Sequence, residues 1–153
     1  MRTIKNAEIV AVGSELLTPH RIDTNSLFLT GRLNDLGVEV KTKGIVGDDR
    51  ALIADVLRSA LSRADVVVTT GGLGPTADDL TREVVAEVLD LPLEEDSRIV
   101  ELIRARFDRR GLRMPDINRR QAMVPRGATV LPNANGTAPG LLIEAGERVV
   151  LLL

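Results

Sequence analysis

Short unbroken apolar runs alternate along this chain with stretches whose apolar residues recur every three or four positions. "EIVAV" (8–12), closed by Gly13, predicts a buried strand. "NSLFLTGRLNDL" (25–36) places Leu29, Leu33 and Leu36 on one helical face, with Gly37 as the C-terminal cap. "VEVKTKGIV" alternates in its first half, which predicts a half-exposed strand with Lys41 and Lys43 on the polar side. Asp48 or Asp49 is placed to cap the next helix, "RALIADVLRSAL", whose buried stripe is Ile53, Leu57, Ala60 and Leu61. "ADVVVTT" is the clearest buried strand, and the helix after it carries Leu80, Val84, Val85, Val88 and Leu89. Two further helices are expected over 94–110 and 116–122, the first of these spanning Glu94 to Arg110. The strands "ATVL", "GLLIE" and "RVVLLL" follow, the last two joined by the turn "AGE".

Strand–helix alternation of this kind builds βαβ units around a parallel sheet. The fold class expected is α/β, a mainly parallel sheet between helical layers, with the closing hairpin adding antiparallel strands at one edge. Without repeat, low-complexity tract or linker, residues 1–153 read as a single domain. The sequence stops inside the apolar run "RVVLLL", so a domain truncated at its C-terminal end is expected.

Composition narrows the chemistry. The chain is 44% hydrophobic and 27% charged with a formal net charge of −2, the balance of a soluble globular domain. That charge gives no support to nucleic acid or an anionic membrane as partner. No cysteine is present and His20 is the only histidine, which excludes disulfides, thiolate chemistry and a multi-histidine metal site; any metal must rest on oxygen ligands. No segment reads as a signal peptide or reaches transmembrane length, so a cytoplasmic protein is expected. With two Phe, no Trp and no Tyr, stacking platforms are scarce, and a bound base is expected to rest on aliphatic packing and backbone hydrogen bonds.

The chemistry concentrates in "TTGGLGPTADDLTRE" (69–83), at the carboxyl end of the clearest strand, where open parallel sheets bind ligands. Gly71, Gly72 and Gly74 allow close backbone approach, and a helix N-terminus presents free N–H groups to an anion. Thr76 and Asp79 have capping-box spacing, so a plain strand-to-helix turn is the simpler reading. Three glycines, Pro75, two threonines at the strand end and the adjacent pair Asp78 and Asp79 together favour a ligand site. The loop is neither a GxxxxGK[ST] phosphate loop nor a GxGxxG dinucleotide fingerprint. Two carboxylates beside a phosphate would repel it unless a divalent cation such as Mg²⁺ lies between, and such a cation polarises phosphoryl oxygens.

These residues resemble the signature of the MoCF-like, molybdopterin-binding fold. With "GSELL" (13–17), "DTNS" (23–26), "VGDD" (46–49), "NRRQA" (118–122) and "PNANGTAPGLLIE" (132–144), the chain resembles the N-terminal domain of the CinA family of competence- and damage-inducible proteins. The resemblance implies a three-layer α/β/α fold and metal-dependent hydrolysis of the pyrophosphate of ADP-ribose to AMP and ribose 5-phosphate. Relatives usually add a C-terminal nicotinamide mononucleotide deamidase domain, which is absent here. The family's "PGPP"-like loop after the last strand is also absent from this sequence. Cofactor-synthesis relatives share the TTGG…D-x-T framework, so a molybdopterin or nucleotide binding module without hydrolysis is the alternative.

Asp78, Asp79 and Glu15 are the candidate catalytic and metal-binding residues, acting at a hydrolase site. Thr70, Gly71, Gly72, Gly74, Thr76 and Thr81 form the expected phosphate cradle. Asn25 suits either a helix cap or a ligand contact, and one of Asp48 and Asp49 is free to join the site. "NGTAPG" is a turn by composition; with the resemblance it folds over the ligand, offering Asn135, Gly136 and Thr137. Of eight arginines between 104 and 126, Arg119 in "NRRQA" is the one expected nearest a phosphate. The expected partners are a nucleoside diphosphate sugar and further copies of the chain.

Overall fold

The computed structural model describes residues 3–153; the first two residues of the N-terminal stretch read for a leader lie outside the described residues. In chain order the elements are β1 (Asn6–Val12), a 3₁₀ turn (Ser14–Leu17), α1 (Thr24–Asp35), β2 (Glu39–Val46), α2 (Arg50–Arg63), β3 (Val66–Thr70) and α3 (Thr81–Val88). They continue as β4 (Leu93–Glu95), α4 (Ser97–Asp108), a second 3₁₀ segment (Asp116–Ala122), β5 (Met123–Pro125), β6 (Thr129–Leu131), β7 (Gly140–Ala145) and β8 (Arg148–Leu152).

Six strands form one sheet in the order β2-β1-β3-β8-β7-β6. β1 pairs in parallel with β2 and β3, and β3 with β8, whereas β7 is antiparallel to both β8 and β6. The Val66–Val68 run thus lies in the interior of the sheet, as an apolar run without a polar alternate requires. Side chains alternate faces along each strand. Val10, Val12, Val67 and Val150 join α2 and α3 in one core layer; Ala7, Ile9, Val66, Val68 and Val149 pack with Leu29 and Leu33 of α1 in the other. A third cluster joins α4 to the second 3₁₀ segment through Ile99, Val100, Ile103, Met114 and Ala122. The three-layer α/β/α architecture follows from this division. Among the described residues no helix is long and apolar enough to cross a membrane.

Four local expectations change. Leu36 is 77% exposed: it follows the end of α1, where Gly37 adopts φ +76° and turns the chain away. Glu94 and Glu95 belong not to a helix but to β4, which pairs antiparallel with β5; Asp96 then caps α4 by accepting from the Arg98 amide at 2.9 Å. Residues 116–122 wind as a 3₁₀ segment. Of the closing hairpin, only β7 opposes its neighbours, because β8, with Val149, Val150 and Leu152 all buried, fills an interior position parallel to β3.

These placements predict opposite outcomes for two truncations. Val67→Ala, in the fully buried centre of β3, lowers unfolding free energy by about 2 kcal/mol. Leu36→Ala changes it by less than about 0.5 kcal/mol. Urea denaturation of both variants checks the assignment, and an equal cost at the two positions contradicts it.

Candidate functional site

Ala11 of β1 lies opposite Thr70 of β3, so both strands end at the same edge of the sheet. The two loops that leave them, one through Gly13 and the other through Gly71, therefore start side by side at the carboxyl ends of parallel strands.

The loop after β3 is built around two left-handed glycines. Gly71 (φ +85°) packs against the Val12 carbonyl and Gly72 (φ +68°) against the Thr81 side chain, so closely that a Cβ at either would collide. α3 begins only at Thr81. Thr76 and Asp79 therefore do not cap it, as their spacing had suggested. Their bonds close a separate turn, in which the Asp79 carboxylate accepts from the Thr76 amide at 2.9 Å and from its hydroxyl at 2.5 Å. Thr81 joins the loop to the helix by donating its hydroxyl to the Gly71 carbonyl (2.8 Å) and its amide to the Gly72 carbonyl (3.1 Å).

Two arginines hold four further carbonyls of the loop, those of Leu73, Pro75, Thr76 and Asp79. Arg82, only 1% exposed, donates to the Leu73 carbonyl at 2.8 Å and to the Arg120 carbonyl at 3.0 Å. Arg120 donates to the carbonyls of Pro75, Thr76 and Asp79 and pairs with Glu83 at 3.0 Å. Burial lowers the Arg82 pKa, and the Glu83 carboxylate opposes that shift. Arg82 Nε and Glu83 Oε2 are buried without a hydrogen-bond partner. With most of its carbonyls engaged, the loop leaves amides over: those of Gly72, Gly74, Ala77 and Asp78 make no hydrogen bond among the described residues. Free amides beside left-handed glycines are a backbone arrangement that can accept an anion.

The first loop brings Glu15. Its 3₁₀ turn is fastened by Ser14 and Asp48, which exchange two bonds of 2.9 Å: the Ser14 amide donates to the Asp48 carboxylate, and the Asp48 amide donates to the Ser14 hydroxyl. Asp48 thus fastens the turn that carries Glu15, and Asp49 is the cap of α2. Asp23, not Asn25, caps α1 by accepting from the Ser26 amide and hydroxyl, which leaves the exposed Asn25 side chain for the cleft. A recess of about 260 Å³ is lined by Glu15, Arg21, Asp23, Asn25, Thr70 and Gly71 among others. A larger one of about 590 Å³ shares Asn25 and Thr70 with it and is walled by the 132–140 segment, including Asn135.

The remaining candidates separate. Gly136 and Thr137 line a different recess beside Arg106 and Arg110. Arg119 is paired with Glu95 through bonds of 2.9 and 2.5 Å, and its neighbour Arg120 is the one that meets the glycine loop. Asp78 is exposed, and Asp79 is half-buried with Oδ2 occupied by Thr76. No group of three or more acidic or histidine side chains among the described residues is arranged to hold a metal ion, so Asp78, Asp79 and Glu15 do not form a ready-made cage. Sequence reading missed Arg82, Arg120 and Asn133. The first two stand in arginine-containing segments with no positional signal, and Asn133 is one of several polar residues in its loop.

Comparison with known proteins places this geometry in context. The family model described as "Probable molybdopterin binding domain" matches residues 8–153. A CinA-like protein of Koribacter versatilis is 57% identical over 142 residues, 93% of this chain and 34% of that protein. Another CinA-like protein, from Solibacter usitatus, is 49% identical over 97% of this chain and 36% of that protein, so the chain spans about a third of these relatives' length. The crystal structure of CinA from Thermoplasma acidophilum matches with a TM-score of 0.89 at 33% identity, covering 98% of this chain and 88% of that one. The molybdopterin biosynthesis enzyme MoaB of Thermus thermophilus matches with a TM-score of 0.61 at 26% identity, covering 98% and 80%.

The loop geometry predicts a graded response. Thr81→Val deprives the Gly71 carbonyl of its donor and costs about 1–2 kcal/mol. Gly71→Ala must also leave its left-handed conformation and clear the Val12 carbonyl, and costs more than about 1 kcal/mol. Amide hydrogen exchange at the bonded amides of Gly71, Thr76, Asp79 and Thr81 rises in both variants. Unchanged protection there would show that the loop does not depend on these contacts.

Proposed function

We propose a function for a chain that belongs to the molybdopterin-binding domain family and, within it, to the CinA-like proteins: metal-dependent hydrolysis of the pyrophosphate of ADP-ribose to AMP and ribose 5-phosphate. The observation that carries this reading is an anion cradle bordered by carboxylates. Free amides in the glycine loop suit phosphate oxygens, while Asp78 within that loop and Glu15 in the recess beside Gly71 bring negative charge to the same sheet edge. A phosphate alone gains nothing from these carboxylates. A pyrophosphate accompanied by a divalent cation does.

The donors fit such a cation in kind, being hard carboxylate oxygens, and fit it in number only if the substrate completes the shell. Mg²⁺ is commonly held by one or two carboxylates plus substrate phosphates and water. Asp78 and Glu15 would hold it, with Asp79 contributing the oxygen that Thr76 leaves free. The cation would neutralise the pyrophosphate and polarise its phosphoryl oxygens. The residues of the chain do the rest. The loop amides bind one phosphate, and the second lies toward Thr70 and Asn25. A carboxylate orients water toward phosphorus and accepts its proton as the P–O bridge breaks, with AMP and ribose 5-phosphate as products. The same proposal sets the reaction in the cytoplasm, in a self-associating protein whose full length carries a further deamidase domain.

A second reading, a molybdopterin-type binding module without hydrolysis, is favoured by one observation. Asp79 already serves as the internal partner of Thr76, and a single phosphate would be satisfied by the amides alone.

Assay of AMP release separates the two. ADP-ribose yields AMP with Mg²⁺ and none with excess EDTA. Asp78→Asn lowers turnover by at least about 100-fold. Its melting temperature stays within about 2 °C, since an exposed side chain is changed. Asp79→Asn lowers both turnover and melting temperature, because it also weakens the Thr76 turn. Full activity of Asp78→Asn, or AMP release that persists in EDTA, would defeat the metal-assisted mechanism; binding without AMP release would leave the module reading standing.

A further inference from the structure

We propose that the larger recess is a purine subsite in which the Phe28 ring stacks on the base. The inference rests on the nucleotide reading above and extends it to the other end of the ligand.

Phe28 is 67% exposed on α1, although it is one of only two phenylalanines in a chain without Trp or Tyr. Asn25, Phe28 and Leu29 stand at i, i+3 and i+4, and so share one helical face. All three line the recess of about 590 Å³, a volume in the range of small-molecule sites. Leu29 is half-buried against the core, which fixes this face, while the Phe28 ring extends into the opening. Leu73, Leu131 and Pro139 supply further apolar surface. A planar ring lodged there would cover an aromatic face that the fold itself leaves open to water.

The opposite wall is rigidly made. Asn133 accepts from the amides of Asn135 (2.9 Å) and Gly136 (3.0 Å) and donates to the Ala138 carbonyl (2.9 Å). Arg106 of α4 donates to the carbonyls of Asn133 (2.6 Å), Ala134 (3.1 Å) and Gly136. This leaves the Asn135 side-chain amide, which makes no hydrogen bond among the described residues, to offer a donor and an acceptor to a heterocycle edge.

Position selects the ligand. The recess shares Thr70 and Asn25 with the smaller one that holds Glu15 and Gly71. A molecule with a phosphate beside Gly71 and a flat nitrogen heterocycle joined to it through a sugar would reach from one recess into the other. That is the AMP half of the substrate, and the base is thereby held by stacking as well as by aliphatic packing.

Three proteins test it: wild type, Phe28→Ala, and Phe28→Trp, which installs the chain's only tryptophan. Calorimetry gives AMP binding tighter than ribose 5-phosphate in the wild type. Phe28→Ala weakens AMP by about tenfold, the usual worth of one base–aromatic stack, and leaves ribose 5-phosphate unchanged. Tryptophan emission of Phe28→Trp is quenched by AMP and not by ribose 5-phosphate; a 6-hydroxymethylpterin titration in parallel shows whether a pterin takes the same place more tightly. Leu27→Ala, an exposed neighbour outside the recess, binds AMP as the wild type does. Equal AMP affinity in Phe28→Ala and wild type overturns the proposal, as does no AMP binding by the wild type. So does a Phe28→Ala protein that loses self-association in sedimentation while keeping AMP affinity, for then the ring serves a second copy. Binding is read without turnover, so a Phe28-dependent AMP site in a protein that releases no AMP from ADP-ribose would leave the subsite standing and remove only the hydrolytic reading.

Discussion

The parallel pairing of β1 with β3, from Ala7 opposite Val66 to Ala11 opposite Thr70, is the constraint on which the site depends. A slip of one residue would exchange the two faces of a strand whose residues are buried on both. The register is set at the far end of the strands. There the Asp65 carboxylate accepts from the amides of Lys5 (2.9 Å) and Asn6 (3.2 Å), and the Asn6 side chain accepts from the Asp65 amide at 3.0 Å. Inside the pair, the buried Glu8 is held by two bonds of 2.8 Å from Arg63 of α2. The contacts of Lys5 and Asn6 with Asp65 belong to this alignment and would be broken by a slip. They are remote from the cleft, yet they determine that Gly13 and Gly71 leave the sheet together.

The glycine loop poses a different physical problem. It is a stretch of irregular backbone close to the core, with Leu73 buried, and its carbonyls need donors. Thr81 and Arg82, consecutive residues at the start of α3, supply donors to three of these carbonyls, and Arg120 reaches across from the second 3₁₀ segment to three more. A buried guanidinium is costly to desolvate. Here it is retained in contact with carbonyl oxygens and near the Glu83 and Asp79 charges, and what it secures is loop shape. The result, most carbonyls engaged and four amides free, is a backbone arrangement suited to an anion.

Much of this fold was readable from the amino-acid order because burial writes itself into periodicity. The Val66–Val68 run, the Ile53–Leu57–Ala60 stripe and the alternation around Lys41 and Lys43 all correspond to the observed layers. Helix starts were less legible. Thr76 has the spacing of a cap and Thr81 does not, yet Thr81 lies where the helix begins, because tertiary contacts with Gly71 and Gly72 decide it. Arg119 and Arg120 are adjacent in sequence, but successive side chains on a 3₁₀ segment diverge by about 120°, so one faces Glu95 and the other the loop. No local signal distinguishes them; only the packing of α4 against that segment does. Phe28 was hidden for a similar reason, since an exposed aromatic within an amphipathic helix carries no mark of what it faces.

The two adjacent aspartates are the sharpest case. Side by side in sequence, they present a doubled negative charge at a site for anions, and the contradiction suggests a cation. In three dimensions they are not equivalent. The Asp79 carboxylate points back to Thr76 and accepts two hydrogen bonds there, so it stabilises the turn that shapes the cradle and is partly neutralised by doing so. Asp78 is exposed and has no such partner among the described residues. Only one of the pair therefore stands as uncompensated charge beside the free amides. The charge to be balanced there is smaller than the sequence implied, and any cation is better matched to a shell made largely by the ligand's own phosphate oxygens than to a cage built by the protein.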